Sequence, residues 1–287
     1  MHIFLNGSRR HVESHPAIRA LLHHIADLAK GDRLSVAAPF ARTIAHLMPG
    51  EVNVIEPGQP VKADLALSLG GDGTFLRTAQ WVGDAGIPIL GINAGHLGYL
   101  ADMTPEEFLQ SDLSDTKVEE RAMLHVTSEQ NLPRGLWPYA LNDVAILKTD
   151  TSSMITVDAH IDAMPLTSYR ADGLILATPT GSTGYNLSVG GPIVQPNVPA
   201  IILSPVAPHS LTMRPLVVSS SSVIDLQVHS RSEVYLLSLD GRSVQLPVAT
   251  RVRVVTAPFK IKVMQRADHH FAGTLRSKLL WGEDTVK

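Results

Sequence analysis

The chain lacks cysteine, is poor in aromatic residues and has no long apolar run. Its 287 residues contain no cysteine, which excludes disulfides, thiol catalysis and thiolate metal sites and makes a cytoplasmic location the expectation. Aromatic side chains make up only 5%, so aliphatic side chains must fill the core. No stretch approaches the roughly 20 apolar residues of a membrane span, and the start lacks the apolar run of a signal peptide. We therefore expect no membrane partner.

An excess of basic charge is also missing. Acidic residues outnumber basic ones, 27 to 24, so the net charge is −3 and nucleic acid is not an expected partner. The chain has 13 histidines but no His-Glu-x-x-His sequence, and neighbouring histidines on a helix do not face one ligand. A zinc site is not expected. A serine hydrolase is disfavoured too, because no Gly-x-Ser-x-Gly elbow occurs.

Short apolar runs alternate with helix-like periods over the first third of the chain. Apolar residues recur every three or four positions between Ile18 and Ala29, which predicts an amphipathic helix. Further helices are expected from Thr74 to Val82 and from a capping-box sequence that begins at Thr104. This alternation predicts a parallel sheet buried on both faces. The predicted strands are His2–Leu5, Leu34–Ala38, Val52–Ile55, Leu65–Leu69 and Ile87–Ile92.

From about Ala122 the pattern changes to many short strands separated by turn signals, which predicts an all-β domain. A helical pattern resumes at Phe271, and this apolar tail is expected to dock on the first domain. The predicted domains are 1–118 together with the tail 265–287, and 119–264. The predicted strands here are Met123–Thr127, Ala140–Leu147, Met154–Ile161, Gly173–Ala177, Ile201–Ser204, Val223–Val228, Val234–Leu239, Arg251–Thr256 and Lys260–Val263.

The first segment with unusual chemistry is the run Gly70-Gly71-Asp72-Gly73, between a predicted buried strand and a predicted helix. Glycine lets a ligand approach the backbone closely, and a helix N-terminus favours an anion. A carboxylate at Asp72 would lie at the carboxyl end of the strand, where open α/β sheets bind ligands. The alternative interpretation is a tight turn in which Asp72 caps its helix.

Two further segments combine polar groups with predicted strands. The stretch from Arg170 to Ser188 ends a strand in closely spaced hydroxyls and glycines, which can bind ribose or phosphate without formal charge. Its Tyr185 offers a ring for stacking. Asn142 and Asp143 interrupt an otherwise apolar strand and can bind a base edge and ribose hydroxyls. A solvent-exposed turn and an ordinary strand end are the alternative interpretations of these segments.

Taken together, these motifs closely resemble those of the NAD kinase family. The resemblance extends over most of the chain from about residue 65, and the motifs occur in the family's order. Diacylglycerol-type lipid kinases and phosphofructokinases share the Gly-Gly-Asp-Gly motif, whereas the Thr-Pro-Thr-Gly-Ser-Thr block from Thr178 is far more specific. The matching segments are 70–74, 93–98, 142–143, 172–188, 208–215 and 275–282.

The resemblance implies a fold and a reaction. The fold would be an N-terminal α/β nucleotide-binding-like domain and an all-β C-terminal domain, with the C-terminal tail returning to the first domain. In the reaction, the γ-phosphoryl group of ATP would move to the 2′-hydroxyl of the adenosine ribose of NAD and give NADP. Mg²⁺ carried by ATP should neutralise most of the phosphate charge, so no protein metal site is expected. A homodimer or homotetramer is the implied assembly.

The resemblance also assigns roles to residues. Asp72 would face the acceptor hydroxyl and take its proton, and Gly73 would leave room for the dinucleotide. Asn142 and Asp143 would hold the adenosine portion, and Asp172 would contact bound NAD. The other expected dinucleotide contacts are Arg77, Arg170, Thr183, Gly184, Tyr185, Asn186, Leu187, Ser188 and Ala207. The expected phosphate contacts are Gly70, Gly71, Gly73 and Thr74.

Three positions depart from the family pattern. Gly184 stands where family members often have alanine, Arg242 where they often have glutamine, and Ser153 where a basic residue often precedes methionine. Two other functions stay open: a lipid kinase that shares the glycine motif, and a sensor that binds a dinucleotide without transferring phosphate. The presence of Asp72 argues against a sensor. For a kinase, we expect Asp72→Asn to fold and to lose at least ~100-fold in turnover.

Overall fold

The computed structural model describes residues 1–12, 15–30, 33–93, 95, 98–101, 103–150 and 153–282. The chain divides into two compact units. Unit 1 holds residues 1–120 and the segment from Ile261 onwards, and unit 2 holds Arg121–Lys260. The C-terminal tail therefore returns to the first unit, as the sequence predicts.

Unit 1 is built on a parallel sheet with helices around it. Its strands are β1 (Ile3–Gly7), β2 (Leu34–Ala37), β3 (Asn53–Ile55), β4 (Leu65–Leu69), β5 (Ile89–Ile92) and the end of β17 (Val252–Arg266). They lie in the order β17–β5–β4–β1–β2–β3, each pair parallel. Its helices are α1 (Arg9–Val12), α2 (Ile18–Ala29), α3 (Ala38–Ile44), α4 (Asp72–Val82), α5 (Pro105–Gln110) and α7 (Phe271–Leu279).

The helices of unit 1 follow from local sequence signals. The α2 helix buries the apolar stripe that contains Ile18 and Ile25 and ends at Lys30, which adopts the left-handed conformation. At the start of α5, the Thr104 hydroxyl and the Glu107 carboxylate form the predicted capping box. Helix α4 starts at Asp72, two residues before the predicted start. The sequence prediction misses α1 and α3.

Unit 2 is a sandwich of two antiparallel sheets. One sheet has the order β13–β12–β11–β8–β15–β16, and the other has the order β10–β9–β14–β17. A single apolar core fills the space between them, and it includes Val144, Leu176 and Tyr235. The strands are β6 (Thr116–Ser128), β7 (Tyr139–Ala140), β8 (Asp143–Leu147), β9 (Ile155–Ile161), β10 (Met164–Ala171), β11 (Gly173–Ala177), β12 (Ala200–Val206), β13 (Leu216–Ser219), β14 (Ile224–His229), β15 (Val234–Leu239) and β16 (Arg242–Pro247). A four-residue helix, α6 (Tyr185–Ser188), follows β11.

Unit 2 differs from the predicted strands at several points. The predicted strand Ala140–Leu147 is interrupted at Leu141 and Asn142, which belong to neither β7 nor β8. The two predicted strands from Arg251 to Val263 form one continuous strand, β17, which carries the chain back to unit 1. Strands β10, β13 and β16 are additional.

Polar contacts hold the segment that leads into α7. The Lys117 ammonium group donates a hydrogen bond to the carbonyl oxygen of His269. Arg266 forms an ion pair with Glu107 at 2.9 Å. Leu280 and Trp281, which follow α7, are more than half exposed, whereas Phe271, Leu275 and Leu279 of the helix are half-buried. Within the described residues, no helix combines the length and apolar character of a membrane span.

Candidate functional site

The glycine turn after β4 leads directly into α4. Gly70 has a φ of +146°, and a Cβ at this position would lie 2.5 Å from the Thr74 hydroxyl oxygen, so only glycine fits without strain. Gly71 precedes the first helical residue, and Gly73 lies exposed in the first turn. The Arg77 guanidinium donates to the Thr74 hydroxyl at 3.0 Å. Gly71 and Gly73 therefore leave backbone without side chains at the start of a helix. The Gly70 N–H is taken by the Ile92 carbonyl oxygen at 2.8 Å.

The Asp72 carboxylate is directed to another loop and not to the N–H groups of its own helix, so it is not the cap that the alternative interpretation assumes. It turns to a loop that follows β5 and accepts three backbone N–H bonds there. Oδ2 accepts from Tyr99 at 2.9 Å, and Oδ1 accepts from Leu100 at 3.0 Å and from Ala101 at 3.1 Å. The clamped loop adjoins the predicted 93–98 motif, of which residues 94, 96 and 97 lie outside the described residues.

Two glycines allow this close approach. A Cβ on Gly98 would lie 2.0 Å from Asp72 Oδ1, and a Cβ on Gly91 would lie 2.6 Å from the Ala101 Cα atom. The buried Asn93 side chain supports the same loop, since its Nδ2 donates to the Ala101 carbonyl oxygen at 3.3 Å. The carboxylate and the loop are therefore packed to backbone contact.

We expect Gly98→Ala to destabilise the protein by about 1–3 kcal/mol, because the new methyl group overlaps the Asp72 carboxylate. Urea unfolding monitored by circular dichroism measures the change. Gly50→Ala is the matched control in the same unit, since a Cβ there meets no atom within 4 Å. Equal unfolding midpoints for the two variants would contradict the described contact.

Tyr99 is a residue that the sequence reasoning missed. Burial raises the pKa of its phenol, and the nearby Asp72 carboxylate raises it further. Its hydroxyl oxygen is buried and has no hydrogen-bond partner within the part of the chain that the structure describes. The phenol therefore stays protonated and keeps a free donor close to Asp72. In the sequence, the only sign of a role for Tyr99 is that a polar residue follows Gly98.

The second cluster lies in unit 2, at the two residues that separate β7 from β8 and belong to neither strand. The Asp240 carboxylate accepts N–H bonds from Leu141 at 2.7 Å, from Asn142 at 2.8 Å and from Asp143 at 3.1 Å. On the other side, the Thr178 hydroxyl donates to the Leu141 carbonyl oxygen at 2.6 Å. These bonds replace the sheet ladder and explain the interruption of the predicted strand.

The segment after β11 packs against the interruption between β7 and β8. A Cβ on Gly181 would lie 2.0 Å from the Asn142 carbonyl oxygen, so the two backbones touch. Gly184 lies on the same side, with its Cβ position 3.8 Å from Asn142 Nδ2. The Asn142 side-chain oxygen is buried and finds no partner among the described residues. A buried acceptor without a donor is suited to a ligand N–H group.

Asp143, the residue after Asn142, is a buried acid at the start of β8. Burial raises the pKa of its carboxyl to about 7, and the charge of Asp240 adds to the effect. Burial also raises the pKa of Asp240, while its three N–H donors and Arg242 act in the opposite direction. Asp240 is thus the member of the pair whose charge has hydrogen-bond donors and an arginine beside it, whereas burial and the Asp240 charge bring the pKa of Asp143 to about 7.

The segment 183–188 divides into exposed and structural side chains. Tyr185 is 40% exposed, so its ring is accessible for stacking. Asn186 is fully buried; its amide donates to the Ser182 and Pro192 carbonyl oxygens and accepts from the Ser204 hydroxyl at 2.6 Å. This amide braces the segment from within. The other members are the half-buried Thr183, Gly184 and Leu187 and the exposed Ser188.

The three remaining unit 2 candidates lie at the other end of β11. Ala177 pairs with Asp143, whereas Gly173 pairs with Leu147 and Val206, so Asp172 is separated from Asp143 by about 16 Å along the strand direction. The Asp172 carboxylate pairs with the Lys148 ammonium group at 2.7 Å, a partner that the sequence reasoning missed. Arg170 and Ala207 are exposed beside it, and Ala207 has a strained φ of +44°.

The described residues contain no group of three or more His, Asp or Glu side chains arranged to hold a metal ion. Asp72 and Asp240 are engaged by backbone donors, and Asp172 pairs with Lys148. The donor set of these clusters is therefore that of a site for polar organic groups and phosphates.

Comparison with known proteins gives a consistent result. A family model described as ATP-NAD kinase N-terminal domain matches residues 29–115, and one described as ATP-NAD kinase C-terminal domain matches residues 141–266. A protein named NAD kinase from Bacteroides fragilis is 49% identical over 228 residues, 78% of each chain. One of the same name from Porphyromonas gingivalis is 42% identical over 289 residues, 98% of each chain.

Two solved structures share the fold over nearly the whole chain. Yeast NADH kinase complexed with NADH superposes with a TM-score of 0.83 at 26% identity, covering 98% of this chain and 88% of that one. An NAD kinase from Archaeoglobus fulgidus in complex with ATP gives a TM-score of 0.70 at 27% identity, covering 96% of this chain and 99% of that one.

Proposed function

The chain belongs to the NAD kinase family, and on that premise we propose that it phosphorylates the 2′-hydroxyl of the adenosine ribose of NAD with ATP. The 2′-oxygen forms a bond to the γ-phosphorus, the bond from that phosphorus to the β–γ bridging oxygen breaks, and NADP and ADP are the products. The observation that carries the proposal is the carboxylate of Asp72 at the start of α4, after a turn of bare glycines.

In the proposed mechanism, Asp72 orients the acceptor hydroxyl. A ribose hydroxyl is a weak acid, so its proton passes to the carboxylate late, as the new bond to phosphorus forms. Phosphoryl transfer has a loose transition state with charge on the equatorial oxygens, so position and electrostatics dominate. Gly71 and Gly73 supply backbone contacts to phosphate, with Arg77 as a further contact, whereas the buried Gly70 and Thr74 shape the turn.

The unit 2 clusters are proposed to hold the dinucleotide. The free side-chain oxygen of Asn142 suits an amino group of the base, and the Asp143 carboxylate suits ribose hydroxyls. The adenosine contacts continue through Thr183, Gly184, Tyr185, Leu187 and Ser188, and the buried Asn186 side chain supports this segment. The group of Arg170, Asp172 and Ala207 lies about 16 Å away along the direction of β11, a spacing that suits a second part of an extended dinucleotide.

The divalent cation is proposed to arrive with ATP. The carboxylates of Asp72 and Asp240 are taken up by backbone N–H donors, which fits a Mg²⁺ ion that is held by the nucleotide rather than by a protein cage. Such an ion neutralises phosphate charge. We also propose domain boundaries at 118/119 and 264/265, a homodimer or homotetramer, a cytoplasmic location, and no binding to nucleic acid or membranes.

The proposal is tested by incubating purified protein with Mg-ATP and NAD and measuring NADP with an NADP-specific dehydrogenase. We expect NADP to accumulate in step with ADP. NAD binding without NADP would favour the dinucleotide sensor. Phosphorylation of diacylglycerol vesicles, with no NADP formed, would favour the lipid kinase. Parallel reactions with NADH and with polyphosphate define the acceptor and donor.

A further inference from the structure

Leu141 and Asn142 lie outside the strands and Asp143 begins β8, yet all the backbone polar groups of residues 141–143 are satisfied. Asp240 accepts the three N–H bonds of Leu141, Asn142 and Asp143, and its own N–H donates to the Asp143 carbonyl oxygen at 3.0 Å. Thr178 takes the two remaining carbonyl oxygens, with its hydroxyl on Leu141 and its N–H on Asn142 at 2.9 Å. The position of this segment is therefore set by two residues that are distant in sequence.

Asp240 is able to reach this segment because of its turn. It lies between β15 and β16 with a φ of +49°, followed by Gly241 at +78°, the positive values that a two-residue hairpin turn of type I′ requires. Leu239, the preceding residue, pairs with Val144 in the sheet. The hairpin thus places the Asp240 carboxylate beside the start of β8.

Arg242 holds the backbone just before this segment. Its guanidinium donates to the Trp137 carbonyl oxygen at 2.9 Å and to the Tyr139 carbonyl oxygen at 2.6 Å. The group also lies over the Trp137 ring, 5.2 Å from its centroid, and interacts with the Asp240 charge. A glutamine side chain carries one donor group and no charge, so it cannot make this set of contacts.

We propose that Asp240 and Arg242 form a positioning pair that fixes Asn142 and Asp143 for the NAD that they bind. The inference rests on the proposed function. Neither member needs to touch the substrate. Asp240 fixes the N–H side of residues 141–143, and Arg242 fixes the two carbonyl groups just before them. The arginine at 242, which departs from the family pattern, is thereby given a role in dinucleotide affinity.

The test is Arg242→Met, which keeps much of the stem over Trp137 and removes every donor. We expect the KM for NAD to rise at least about tenfold, since two hydrogen bonds to a charged group are lost. The KM for ATP should stay within twofold and kcat within about threefold. Arg242→Lys should fall between wild type and Arg242→Met, because one ammonium group cannot bridge both carbonyls.

Arg253→Met is the matched control. Arg253 makes a two-pronged pair with the Asp225 carboxylate, at 2.7 and 3.0 Å, on an exposed part of the same unit. We expect its kinetic constants to equal those of the wild type. Thermal melts of all variants give the folded fraction, and rates are normalised to it.

Two outcomes would overturn the positioning role. One is a folded Arg242→Met variant whose KM for NAD stays within twofold of wild type. The other is an equal rise of KM for NAD and ATP, as expected for a purely structural defect. Calorimetric titration with NAD alone keeps the inference separate from the proposed reaction: a wild type that forms no NADP but binds NAD tenfold more tightly than Arg242→Met refutes only the reaction.

Discussion

Asp72→Asn is expected to lower kcat at least ~100-fold, the lower end for removal of a general base, with a smaller change in the KM for NAD. The neutral amide cannot accept the proton of the 2′-hydroxyl. The measurement is NADP formation under saturating Mg-ATP. A folded variant that keeps turnover within tenfold of wild type would contradict the proposed role.

The contacts of Asp72 define the control that this experiment needs. The carboxylate accepts from Tyr99, Leu100 and Ala101, so an amide must turn a donor toward one of these N–H groups. We therefore expect a stability loss of about 1–3 kcal/mol in addition to the loss of turnover. Gly98→Ala disturbs the same loop but keeps the carboxylate. A much larger fall in kcat for Asp72→Asn than for Gly98→Ala separates chemistry from loop position.

Asp143→Asn is expected to stabilise the protein at pH 8 by about 2–4 kcal/mol while weakening NAD binding at least about tenfold. The Asp143 carboxyl is buried, and its pKa is raised to about 7. Between about pH 4 and 7 the folded chain holds a proton that the unfolded chain releases, so wild-type stability falls as pH rises through this window. Above pH 7 the buried charge carries its full cost, which asparagine removes.

The pH dependence is the decisive part of that prediction. The gain in melting temperature should be large at pH 8 and small near pH 4.5, where both forms of residue 143 are neutral. Asp240 and Arg242 are the neighbouring charges, so the observed midpoint belongs to the coupled group. In wild type, NAD affinity should improve as pH rises through 7, because the ionised carboxylate is the better acceptor. An equal stability gain at both pH values would refute the buried-charge account.

Periodicity predicted the regular parts of the fold well. The strands Leu65–Leu69, Gly173–Ala177 and Val234–Leu239 have the predicted bounds, and the helix from Ile18 to Ala29 is confirmed. These elements are buried on one stripe or on both faces, so their apolar pattern is complete. The glycine turn was also visible in the sequence, because three glycines around one acid have few structural explanations.

Other elements could not be predicted because the residues that determine them are distant in sequence. The break at Leu141 depends on Asp240, about 100 residues later, and no local signal marks it. Strand β10 carries a proline and exposed polar residues, so it lacks the strand pattern until β9 pairs with it. The hydrogen bonds that hold the Asp72 carboxylate could not be predicted from the sequence either, because their three donors are backbone N–H groups that any residue could supply.

The most direct test of the central claim is a crystal structure of the wild-type protein soaked with NAD and a non-hydrolysable Mg-ATP analogue. The account predicts that the 2′-oxygen of the adenosine ribose lies within about 3.2 Å of an Asp72 carboxylate oxygen. A fully occupied NAD whose 2′-oxygen is hydrogen-bonded to another group, out of reach of Asp72, would contradict it.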